Sequence, residues 1–103
     1  MEISGNEGGP IDFDQAKKWT ANYRESGSGK TKAHLFGSET IKKLLDQEGC
    51  EAMRIYYALD DKGEQQLILV GTDVKGNDMT KGLILDMSVP CPPDCPDDSG
   101  LAG

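Results

Sequence analysis

Ala52-Met53-Arg54-Ile55-Tyr56-Tyr57-Ala58-Leu59, then Asp60-Asp61-Lys62-Gly63, then Gln66-Leu67-Ile68-Leu69-Val70 is the stretch that decides the fold. In its first part Met53, Ile55, Tyr57 and Leu59 alternate with Ala52, Arg54, Tyr56 and Ala58, the period of two that marks a strand with one apolar face. Asp60 to Gly63 reads as a hairpin turn, with glycine available for a positive φ. The next strand is expected over Gln66 to Val74. Its Leu67 to Val70 run is apolar on both faces and therefore belongs at the centre of a sheet. Val74-Lys75-Gly76-Asn77 makes the following turn, and Lys81 to Met87 a third strand that Gly82 weakens at its start. The segments Asp60-Asp61-Lys62-Gly63 and Asp73-Val74-Lys75-Gly76 echo one another, which reuse of one turn chemistry explains better than a functional repeat.

Upstream of this hairpin the period becomes 3.6. Asp12 can cap a helix, Gln15 can complete a capping box, and Ile11 and Ala16 can form a staple. Phe13, Ala16, Trp19, Thr20 and Tyr23 then fall on one helical stripe, with Lys17, Lys18 and Arg24 pointing away from it. Glu25 to Lys30 breaks the helix with glycines and serines. Lys32 to Phe36 reads as extended and as a candidate edge strand. Ser38 is the expected cap of a second helix whose buried face is Ile41, Leu44 and Leu45, stopped by Gly49. These elements predict an α+β fold, with two N-terminal helices packed on a three-stranded antiparallel meander.

The ends differ in composition. Residues 1–10 read as a flexible leader, residues 11–88 as a single α+β domain, and residues 89–103 as a Pro/Cys-rich tail in which four prolines within seven residues forbid helix. The net charge is −7. Glu2, Glu7, Asp94, Asp97 and Asp98 lie in the ends, so Asp12 to Asp86 is nearly neutral, with 13 acids against 11 bases. Within that span Lys17 to Lys43 is basic and Asp46 to Asp86 acidic. Such a split draws two halves of one fold together or guides head-to-tail association. Phosphates would be repelled by the acidic half and by both ends, so nucleic acid is not an expected partner. No run approaches the roughly 18 apolar residues of a membrane span, and the first residues are acidic and glycine-rich rather than basic and then apolar. The cytoplasm is the default compartment, with an exported chain whose signal was trimmed as the alternative.

Few residues suggest chemistry. Gly29-Lys30-Thr31 resembles the end of a phosphate-binding loop, but Arg24 stands where the first glycine is needed and the strand-to-helix context is wrong, so no nucleotide is expected. The two acidic turns lack the alternating oxygen ligands and distal glutamate of a calcium loop. His34 is the only histidine and has no activated nucleophile near it in sequence. Ser28, Ser38 and Cys50 sit in no elbow or triad pattern. Cys91 and Cys95 flank Pro92-Pro93-Asp94, a stiff spacer that holds two thiols near each other, as a disulfide or redox pair or as free thiols. With Cys50 and His34 they reach the ligand count of structural zinc, although one close pair with distant partners falls short of two half-sites. No cofactor and no metal are expected. With little else to bury, Trp19 and Tyr57 are assigned to the core, and Tyr56, on the opposite strand face with Arg54, to the surface.

Ala16-Lys17-Lys18-Trp19-Thr20-Ala21-Asn22-Tyr23-Arg24, Ala33-His34-Leu35-Phe36-Gly37, Arg54-Ile55-Tyr56-Tyr57, Leu67-Ile68-Leu69-Val70-Gly71 and Pro90-Cys91-Pro92-Pro93-Asp94-Cys95 together resemble a group of uncharacterised small bacterial proteins. The resemblance runs from Ile11 to Cys95. It implies a shared fold and a bacterial source and carries no activity to any residue. The expectation for function is a non-catalytic interaction or assembly subunit, with a protein partner or self-association and with Tyr56, Arg54 and Arg24 as interaction candidates. The alternative is a thiol/disulfide or metal-binding protein using Cys91 and Cys95.

Overall fold

Strand alternation and turn chemistry are both realised. In the computed structural model, which describes residues 1–103, the chain order is α1 (Phe13–Glu25), β1 (Ala33–Leu35), α2 (Ser38–Leu45), β2 (Ala52–Leu59), β3 (Gln65–Thr72), β4 (Ile84–Leu85) and β5 (Val89–Cys91). The class is α+β. β2, β3 and β4 form a three-stranded antiparallel sheet with β3 central, and β1 and β5 form a second, two-stranded sheet. The chain divides into two compact units, Met1–Gly8 with Phe36–Ser88, and Gly9–Leu35 with Val89–Gly103.

The first unit holds the meander. β2 and β3 pair from Ala52↔Thr72 to Leu59↔Gln65, and β4 pairs with Leu69 and Val70 of β3. The two echoing turns are built alike. Asp60 Oδ1 accepts the backbone N–H groups of Lys62 and Glu64, as Asp73 Oδ1 accepts those of Lys75 and Asn77. Gly63 N donates to Asp60 O and Gly76 N to Asp73 O. Gly63 and Gly76 have φ of 80° and 83°, a conformation in which a Cβ would crowd the backbone, so the fourth residue of each turn is glycine for a stated reason. Ile3 N donates to Val74 O at 2.7 Å, fastening the N-terminal residues to this unit.

α2 packs on β2 and β3 and has one buried residue, Leu44; Leu69 and Val70 are the buried apolar residues of β3, one on each face of the sheet. Its C-terminal end is held by Gln47, whose Nε2 donates to Leu44 O while its Oε1 accepts from Leu83 N, both at 2.8 Å. The side chain occupies space left by two glycines. A Cβ on Gly71 would lie 3.1 Å from Gln47 Nε2 and 2.8 Å from Cys50 Sγ, and one on Gly82 would collide with Gln47 Oε1. Gly82 also donates its N–H to Met79 O in a turn. The third strand, expected over Lys81 to Met87, is therefore confined to Ile84 and Leu85.

The second unit contains α1, the β1–β5 ribbon and the C-terminal segment. The extended run at Lys32 to Phe36 is a strand, but it does not edge the meander: Ala33, His34 and Leu35 pair with Cys91, Pro90 and Val89. A two-stranded ribbon consists only of edges, so Pro90 can sit in it without leaving an inner ladder bond unmade. Two expected caps are also corrected. Asp12 stands at the N-cap of α1 without a side-chain cap bond, so the capping box with Gln15 does not form. Gly37 rather than Ser38 is the N-cap of α2. An extended backbone at position 37 turns the chain into the helix one residue early.

The glycine gap under Gln47 and Cys50 makes a definite prediction. Gly71→Ala places a methyl group inside contact distance of two part-buried side chains and should lower stability by about 1–3 kcal/mol, read as a reduced denaturation midpoint. Cys50→Ala in the same chain should restore part of that loss, because the two positions share one contact. Additive effects would show that the gap is not what position 71 requires.

Candidate functional site

Directly opposed residues of an antiparallel pair share a face, so the register sorts the side chains of the meander. Arg54 and Tyr56 lie with Val70 and Ile68 on one face, and Met53, Ile55 and Tyr57 with Gly71, Leu69 and Leu67 on the other. The first face carries a polar cluster. Arg54 Nη1 donates to Asp78 Oδ1 at 2.5 Å and to Gly76 O at 3.0 Å, and the Tyr56 hydroxyl donates to Asp78 Oδ2. β2 is thereby tied to the turn that follows β3. The charged and hydroxyl ends of two interaction candidates are committed within the chain, to a partner that periodicity could not reveal. Only the chain fold brings position 78 back to 54 and 56.

The electrostatics follow from these bonds. The hydrogen bond from Tyr56, with Arg54 adding to it, holds the Asp78 carboxyl below its ordinary value, while partial burial opposes the shift. The same bond to Asp78 pushes the Tyr56 hydroxyl up. The backbone N–H of Glu64, followed by the side chain of Gln66, holds the Asp60 carboxyl down.

The opposite face is apolar and incompletely covered. The Gln47 and Cys50 side chains meet the Gly71 end, and Leu69 is buried. Toward the other end cover is lost: Ile55 is half exposed, Leu59 is 70% exposed and Tyr57 90% exposed. Tyr57 is not core, contrary to expectation, and neither is Trp19, which is 59% exposed on a helix with no buried residue. Of the expected buried face of α2, Leu44 is buried but Leu45 is 44% exposed. Periodicity does not say whether the chain has enough further apolar mass to cover an apolar face.

In the second unit Cys91 and Cys95 form a disulfide with a Cα–Cα separation of 4.7 Å. Cys91 is buried. Asp94 N donates to Pro90 O across the small ring. Cys50 is a free, half-buried thiol that donates to Ala52 O. His34 pairs with Pro90 in the ribbon, and burial lowers its pKa. Arg24 Nη1 donates to Leu101 O at 2.6 Å. No three His, Cys, Asp or Glu side chains gather as a metal-binding group. No helix is long and apolar enough to cross a membrane. No family model, curated protein or solved structure matches the chain.

The Arg54–Asp78–Tyr56 cluster predicts a pH dependence with two limbs. A carboxyl depressed in the folded state contributes stability that is present above its unfolded pKa and is lost as pH falls through the folded value. Asp78 and Asp60 therefore set an acid limb. A tyrosine raised in the folded state contributes stability that is present below its unfolded pKa and is lost as pH rises through the folded value, so Tyr56 sets an alkaline limb. Urea midpoints measured from about pH 3 to about pH 11 should fall at both ends, and Asp78→Asn should flatten the alkaline limb and make the acid limb shallower, leaving the part that Asp60 sets. An unchanged profile in the variant would remove the cluster as their source.

Proposed function

We propose that the chain is a non-catalytic interaction or assembly subunit that engages a protein partner, or a second copy of itself, through the open end of its three-stranded sheet. The observation that carries this reading is the exposure of Ile55, Tyr57 and Leu59 side by side on one face of β2. β2 is an outer strand, with a neighbour on one side only, so a run of eight residues also presents unpaired backbone groups next to the apolar strip. Aromatic residues of this kind supply much of the contact energy at interfaces, and exposed edges accept added strands. The non-catalytic part of the reading is supported by the polar groups themselves. Arg54, Tyr56 and Asp78 are bonded to one another, and Arg24 to a main-chain carbonyl.

The test is the mass of the purified chain by light scattering across a concentration series at low salt, together with a pull-down from its host. Association should appear in one or both, and Tyr57→Ala with Leu59→Ala should weaken it by about tenfold or more. Because both side chains face solvent, thermal stability should change by no more than about 0.5 kcal/mol. A chain that stays monomeric throughout and captures nothing would end the proposal.

A second reading rests on Cys91 and Cys95, which lie within bonding distance. A chain that uses this pair as a thiol/disulfide couple should yield two further titratable thiols after treatment with a dithiol and lose them again on reoxidation. No reversible change in thiol count, and no metal by elemental analysis, would remove it. The thiol count of protein taken from its host also decides the compartment, since a persistent disulfide belongs to an oxidising one and a reduced pair to the cytoplasm.

A further inference from the structure

The apolar stripe of α1 is covered in part by the chain's own last residues. Trp19, Thr20, Tyr23, Arg24, Lys32 and Leu101 line a cleft of about 200 Å³ within the second unit. The segment Ser99–Gly103 follows the helix across it. At one end Gly100 lies so close to the helix that a Cβ there would sit 3.1 Å from Lys17 Cδ and 3.4 Å from Phe13 Cζ, and at the other a Cβ on Gly103 would sit 3.2 Å from Arg24 Nε. Between them Leu101 lines the cleft with the aromatic rings. Two cations fix the main chain: Arg24 Nη1 donates to Leu101 O at 2.6 Å and Lys32 Nζ to Ala102 O at 3.1 Å.

These features amount to peptide recognition performed on an internal segment. A leucine meets an aromatic surface, glycine permits close approach, and successive carbonyls meet successive cations. The cations are the informative part. A guanidinium and an ammonium that donate to neutral carbonyls already make charge-assisted bonds, but a carboxylate in the same place would add the attraction of an opposite charge. A ligand with the same apolar residue and a carboxylate near the Ala102 position would keep the contacts of the internal segment and strengthen the bond to Lys32.

We propose that this cleft is a binding site for a partner polypeptide ending in Gly-Leu-Ala with a free α-carboxylate, and that Ser99–Gly103 is a tethered placeholder that such a ligand displaces. The site is separate from the β2 strip, so either can fail without the other. Displacement involves no covalent step. The tether makes the placeholder a competitor at high effective concentration, and the site therefore reads as occluded until the ligand's carboxylate tips the exchange.

Trp19 is the only tryptophan, so its emission reports on the cleft directly. The experiment titrates the peptide Ser-Gly-Leu-Ala, as free acid and as C-terminal amide, into the full chain and into the full chain carrying Leu101→Gly. The acid should shift Trp19 emission saturably, bind about threefold more tightly than the amide, and bind the Leu101→Gly chain more tightly than the unaltered one. Arg24→Gln with Lys32→Gln should abolish the preference for acid over amide. The same preference is expected in the unaltered chain at lower affinity, so the result does not depend on how well the Leu101 variant folds. If acid and amide bind alike, or neither changes Trp19 emission at millimolar peptide in either chain, the proposal is overturned. It is likewise overturned if the acid binds both chains equally, since Ser99–Gly103 is then no placeholder.

Discussion

The first unit is joined at one side chain that is neither apolar nor large. Gln47 lies just past the end of α2, gives a hydrogen bond to Leu44 O and takes one from Leu83 N. It can do so because Gly71 on β3 and Gly82 before β4 leave room for its amide. Helix ends leave carbonyls without intrahelical partners, and here the residue that satisfies one of them also fixes the path of the chain into the last strand. Leu44 and Leu69 are buried in this unit, as is Val70 on the other face of the sheet. A small core demands such polar fastening, because the apolar contact alone is too slight to specify one arrangement.

That scarcity explains what the sequence discloses and what it hides. Local rules were legible because their causes are local. The alternation from Ala52 to Leu59 made a strand, the two Asp-x-Lys-Gly segments made the same turn, and the Cys91–Cys95 spacing allowed the pairing observed. The extended nature of Lys32 to Phe36 was legible as well. Its partner was not, because Val89–Cys91 lies more than 50 residues away and nothing in a short run states its neighbour. In sequence Gly82 has the look of a defect in a strand, and in the fold it is the gap into which Gln47 fits. Asp78 carried no signal at all. Its role exists only because the register of β2 and β3 returns it to Arg54 and Tyr56.

Charge shows the same dependence on the fold. Along the sequence the bases from Lys17 to Lys43 form one block and the acids from Asp46 to Asp86 another. The fold cuts across this division, since Lys42 and Lys43 are on α2 and belong with the meander. Counted by unit, the meander and its N-terminal residues hold 12 acids and 6 bases, and the α1 unit 6 acids and 5 bases. The acidity of the chain is therefore concentrated in the unit that also presents the open strip on β2.

Both units share one physical problem, an amphipathic element with more apolar surface than the chain can cover, and they resolve it differently. On α1 the stripe of Phe13, Trp19 and Tyr23 receives Gly100 to Gly103, a segment narrow enough to lie against the helix because two of its four residues have no side chain. On β2 no equivalent segment arrives. The hairpin ends in Asp60 and Asp61, and the cover given by Gln47 and Cys50 stops at the Gly71 end. Strand alternation places Tyr57 and Leu59 beyond its reach on the same face, since residues two apart along a strand project to the same side but advance by about 7 Å. A helix as short as α2, about 12 Å over its eight residues, spans fewer than two such steps. The exposure of Tyr57 thus follows from the length of α2 as much as from the sequence of β2.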